Sequence, residues 1–136
     1  MKRAIIAIAI MGTLVNAEAY RQKDRIVDMQ TLASAMQDIQ NGFFYNNYDM
    51  IKEGTTKLSE TIDKIEPPLE EVEEKDIMSR YTNNKVQMTN KIKKKVNRKA
   101  QDILERFKSG DAIQALQAYT KITKECMKCH TQLRKW

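Results

Sequence analysis

The single histidine and both cysteines of this 136-residue chain fall within five consecutive positions, Cys126-Met127-Lys128-Cys129-His130. Any metal chemistry built on these ligands runs through the C-terminus. Cys-x-x-Cys-His is the spacing of covalent c-type haem attachment. Two thiols one helical turn apart can add to the two vinyl groups on one edge of a porphyrin, and the histidine next in sequence then reaches the iron from one side. One haem c per chain is therefore the expected cofactor, with Cys126 and Cys129 as attachment points and His130 as the proximal iron ligand.

Three other chemistries compete for the same residues. A disulfide between Cys126 and Cys129 is awkward on a continuous helix, where the side chains lie along one face and the bridge needs a specific Cβ approach. A thioredoxin-like pair wants a βαβ context, and the chain shows no strand pattern. Structural zinc takes four ligands, and with no further His or Cys the fourth would have to be a carboxylate. On the far side of a haem iron, a methionine thioether raises the potential, whereas an empty position leaves room for a small gas molecule. Met29, Met36, Met50, Met78 and Met88 all lie on helical patterns, where a methionine often simply fills core. Periodicity selects none of them.

The elements that must position this cluster begin after an export signal. Lys2 and Arg3 form a charged start, residues 4–15 are mostly apolar, and Ala17-Glu18-Ala19 supplies the small residues of a cleavage site after Ala19. The apolar run is well short of the ~20 residues that span hydrocarbon as a helix, so no permanent membrane span is expected. Cleavage lowers the net charge of +6 by one. The expected organisation is a signal peptide over residues 1–19 and one domain over 20–136, in the periplasm. Export to an oxidising compartment makes paired thiols a disulfide unless another chemistry consumes them, and thioether attachment does so.

Few Gly and Pro, with abundant Lys, Glu, Gln, Met and Ala, favour helix. Ile26, Met29, Leu32, Met36, Ile39 and Phe43 recur at steps of three and four, and Asn41-Gly42 is expected to stop that helix. Phe44, Tyr48, Ile51, Thr55, Leu58, Ile62 and Ile65 continue the spacing in a second helix ended by Pro67-Pro68, with Gly54 costing about 1 kcal/mol of propensity inside it. A third, over residues 70–108, carries Ile77 or Met78, Tyr81, Met88, Ile92, Val96, Ile103 and Phe107, with polar Asn84 and Lys85 where the period expects apolar residues. Ser109-Gly110-Asp111 breaks the chain, Asp111 capping a fourth helix with Ile113, Leu116, Tyr119, Thr123, Cys126, Met127, His130 and Leu133 on one stripe. The simplest assembly is all-α, an antiparallel up-down-up-down four-helix bundle with haem near one end.

Residues 66–76 are acidic and 91–99 strongly basic. Either run reads first as a solvated helix face, although Lys91, Lys93, Lys94, Lys95, Arg98 and Lys99 could steer an acidic redox partner protein. No acid and base pair stands out, so the chain is expected to be no enzyme.

An exported four-helix chain with Cys-x-x-Cys-His in its last helix resembles the class II cytochromes c, the cytochrome c prime family. The strongest local piece is residues 126–134, the motif followed by Thr131-Gln132-Leu133-Arg134, with Leu133 standing where an aromatic is common. Arg25-Ile26-Val27-Asp28-Met29 resembles the family's Arg-x-x-x-Met segment. The resemblance implies that Met29 sits over the distal haem face, as ligand or neighbour, and that Arg25 lies near a haem propionate. It also implies either of two activities. Low-spin members use the first-helix methionine as sixth ligand and shuttle electrons, while high-spin members bind nitric oxide or carbon monoxide. Methionine at position 29 favours six-coordination and one-electron transfer. The partners expected are redox proteins and no nucleic acid; many relatives also pair two bundles through their first two helices, a point this sequence leaves open. A haem-free helical adaptor held by an uncleaved N-terminus is the reading from outside the family.

Overall fold

The computed structural model describes residues 22–67 and 84–133. The expected signal peptide, Pro68, Ile77, Met78, Tyr81 and Arg134 lie outside the described residues. Within them the chain forms α1 (Gln22–Phe44), α2 (Tyr48–Lys64), α3 (Asn84–Lys108) and α4 (Ala112–Leu133). Sequential neighbours pack most closely, α1 on α2, α2 on α3 and α3 on α4, as an up-down-up-down bundle requires. The core is mostly aliphatic, with Ile39, Ile51, Leu58, Ile103 and Ile122 fully buried. Each such side chain contributes on the order of 1.5–3 kcal/mol over its exposed state. Among the described residues, no helix is long and apolar enough to cross a membrane.

The first turn departs from the sequence expectation. Helix α1 runs through Asn41-Gly42 to Phe44, and the chain reverses at residues 45–47 with Asn46 at φ 49°. Asn47 then caps α2, its Oδ1 accepting from the Met50 amide at 3.1 Å. Gly42 is needed for closeness and not for a stop, because a Cβ there would lie 2.5 Å from Ile51 Cγ1. Phe44, expected on the α2 stripe, instead ends α1 with 76% of its surface exposed.

Gly54 answers Gly42 from the other helix. A Cβ on it would stand 2.8 Å from Ile39 Cγ1 and 3.0 Å from the Ala35 carbonyl oxygen. The residue that weakens α2 as a helix is what lets α1 approach, and buried Ala35 completes the contact. At the second described turn the sequence reading holds, with Gly110 at φ 82° and the Gln114 amide donating to Asp111 Oδ1 at 3.0 Å.

In α4 the stripe lies elsewhere than expected. Ala115, Ala118 and Ile122 face the core, while Ile113 is 69% and Leu116 47% exposed and Met127 is exposed as well. Ile26 on α1 is likewise 49% exposed. Where helices come close, small side chains occupy the contact and larger apolar ones are displaced to its edge.

Candidate haem site

Helix α4 is continuous through residues 126–130, which places Cys126 and Cys129 one turn apart on the same side. Both thiols are half-buried, and neither is in a disulfide. They and His130 line a cavity of about 260 Å³ whose wall also includes Met29 and Met36 of α1, Ile62 of α2 and Ile92 of α3. All four helices thus contribute to one cavity, at the end of the bundle where α1 begins and α4 finishes. Its volume is just under the ~300–1,000 Å³ usual for small-molecule pockets. It opens to solvent, since Ala33 and Thr123 on its wall are exposed.

Away from the start of α1, the cavity is bounded along the α1 and α4 seam by aromatic rings, Tyr119 being part of its wall. Phe43 meets Tyr119 edge-on at 5.9 Å between centroids and Phe107 at 5.6 Å. Counting equally from the Phe43 and Tyr119 contact along two antiparallel helices, Leu32 comes level with His130, and Met29 and Met36 stand about one turn to either side. Of the methionines considered from sequence, Met78 is outside the described residues. Met88 packs against the core and Met50 is half-buried, but neither lines the cavity.

Burial pushes the Cys126 thiol above its ordinary value, with the Cys129 and Glu125 charges adding to the effect. The Tyr119 phenol is also raised, first by burial and then by Cys126 beside it. The Cys126 environment is therefore suited to a neutral sulfur, as a thioether would be. Among the described residues no three His, Cys, Asp or Glu side chains converge to hold a bare metal ion. The donor set instead fits haem, with two sulfurs for the porphyrin edge, one imidazole for iron and largely aliphatic walls.

Arg25 is half-buried near the start of α1, where its Nη2 donates to the Pro67 carbonyl oxygen at 3.3 Å. It ties α1 to the chain just beyond α2 and is not part of the cavity wall. The basic segment of α3 is largely committed to its neighbours. Lys95 Nζ pairs with Glu125 Oε1 of α4 at 2.8 Å, one residue before Cys126. Lys99 pairs with Asp102, and Lys93 turns to the end of α2, leaving Lys91, Lys94 and Arg98 as the exposed cations of the six. Sequence reasoning put Lys93 on a steering surface, yet the structure places it in the cavity wall. Its partners lie some thirty positions away, so no local pattern marks it.

Comparisons with protein-family models, curated proteins and solved structures found no match to this chain.

Proposed function

We propose that the protein is an exported monohaem c-type cytochrome that transfers single electrons between redox partners in the periplasm. The observation that carries this reading is the convergence of Cys126, Cys129, His130 and Met29 on one largely apolar cavity, contributed by helices at opposite ends of the sequence. Each thiol would add across one vinyl double bond of the porphyrin, sulfur to one carbon and hydrogen to the other, with no net oxidation. Haem bound there supplies the one-electron couple.

The chain's own residues do the rest. His130 would offer an imidazole nitrogen to the iron, and Met29 a soft thioether from α1, a donor that favours the reduced state and raises the potential. Leu32, Ile62, Ile65, Ile92 and Val96 form an aliphatic wall that lowers the local dielectric and limits water. Exposed Lys91, Lys94 and Arg98 supply a positive surface for an acidic partner, with association expected to slow as salt rises. The resemblance to cytochromes c prime adds a gas-binding alternative on the same cofactor, and the two part at the sixth coordination position.

Absorption spectra of the exported protein, oxidised, reduced, and reduced under carbon monoxide, test this reading. The expected result is a low-spin spectrum that carbon monoxide leaves unchanged, and that turns high-spin in Met29→Ala while Met36→Ala retains it. A prompt Soret shift of the unaltered protein under carbon monoxide would move the function to gas binding. Conversion by Met36→Ala alone would move the sixth ligand to Met36.

A further inference from the structure

Among the described residues, Lys93 is the one lysine, arginine or carboxylate side chain on the cavity wall, which is otherwise built from aliphatic, thioether, thiol, hydroxyl and imidazole groups. Its Nζ donates to the carbonyl oxygens of Asp63 at 2.6 Å and Ile65 at 3.0 Å. Both belong to the C-terminal end of α2, where carbonyls lack helical partners and a cation is favoured by the helix dipole. An ammonium has three N–H donors in all. Two are occupied by α2, which fixes the nitrogen at the junction of α2, α3 and the cavity.

Lys93 is half-buried and its bond to Asp63 is exposed, so the ammonium stands at the solvent edge of the cavity, where a carboxylate can take a charge-assisted hydrogen bond from it. Haem carries two such groups, its propionate carboxylates. Arg25, to which the family resemblance points for that role, donates from Nη2 to the Pro67 carbonyl and is not among the wall residues.

We infer that Lys93 is the residue that binds a haem propionate, offering its third N–H to the carboxylate while its other two hold the end of α2. This rests on the haem reading above and specifies a residue of that site. The ammonium would keep the propionate ionised and oriented toward α3. Because the same nitrogen caps α2, loss of the carboxylate would be felt at the end of that helix. Lys93 thus acts as a positioning residue for the cofactor, and its positive charge, by favouring the reduced iron, holds the potential up.

The test uses the exported haem protein and its Lys93→Gln and Lys93→Arg variants, with intact mass and the absorption spectrum recorded first. Mass without haem in the unaltered protein would overturn the cytochrome reading and this inference together. With haem present, the midpoint potential is followed against pH. Removing the cation should lower the potential at neutral pH and move the propionate-linked inflection up by about one unit, a tenfold change in acid constant. Lys93→Arg should restore both. A Lys93→Gln protein that is merely less stable, with an unchanged pH profile, would reduce Lys93 to a helix cap and overturn the inference while leaving the cytochrome reading intact. Should Lys93→Gln fail to fold, the unaltered protein decides. Its diamagnetic ferrous form, with carbon monoxide added where the iron is five-coordinate, should show nuclear Overhauser contacts between the Lys93 ε-methylene and a propionate methylene. Their absence would overturn the inference.

Discussion

Cys126 is a thiol that the fold half-buries. Burial raises its titration first, and the Cys129 and Glu125 charges add to that. A group held in its neutral form by the native state contributes stability that is whole below its ordinary value, near ~8.5 for a thiol, and is lost as pH rises through the raised folded value. Chain made without cytochrome maturation should accordingly lose stability in alkali. Urea unfolding of this haem-free form at pH 7 and pH 10 should show a larger fall than the same comparison on Cys126→Ala, and equal falls would contradict the assignment. Tyr119, shifted in the same direction, contributes to the fall in both proteins. At this scale the sequence was most informative where chemistry is local, since Cys126, Cys129 and His130 announce themselves by spacing. Met29 was legible only through likeness to a family. Lys93 was misjudged because its acceptors, Asp63 and Ile65, are distant in sequence.

Helix α2 shows how an element can carry a residue that opposes its own formation. Gly54 costs about 1 kcal/mol relative to alanine in a free helix. Here the added methyl would meet the Ile39 side chain at 2.8 Å and the Ala35 and Ile39 backbone at 3.0 Å. Backbone has little room to give, so the clash outweighs the propensity gain. Gly54→Ala is expected to destabilise the bundle by about 1–3 kcal/mol, the usual range for overpacking, measured by chemical or thermal unfolding. A more stable variant would mean that α1 and α2 are less closely opposed. The same closeness explains what periodicity misread. Steps of three and four find helices well, and all four described helices follow them. They do not say which flank of a stripe is buried. In α4 the eye is drawn to Ile113 and Leu116, but Ala115 and Ala118 make the contact because only small side chains fit between adjacent backbones. At the first turn, Asn41-Gly42 carries a stop signal that tertiary contact overrides, since the glycine is used to admit Ile51.

Across the whole molecule, antiparallel order brings the beginning of α1 beside the end of α4. The two helices meet through Phe43 and Tyr119, a residue of the cavity wall, and flank the cavity from there toward the start of α1. Sequential pairs carry most of the packing, and the seam between first and last helix is the more sparsely packed side of the bundle. The bundle was legible in sequence because four amphipathic runs with short breaks admit few assemblies. The site's far wall was not, because nothing local links residue 29 to residue 126. Covalent attachment at the last helix underlies every role proposed for these residues, and intact mass spectrometry of protein exported from a host with working cytochrome maturation tests it most directly. The predicted result is a polypeptide heavier by one haem, with neither cysteine open to alkylation, and with the haem retained on the peptide containing residues 126–130. A colourless chain of unmodified mass, with both thiols reacting, would contradict it.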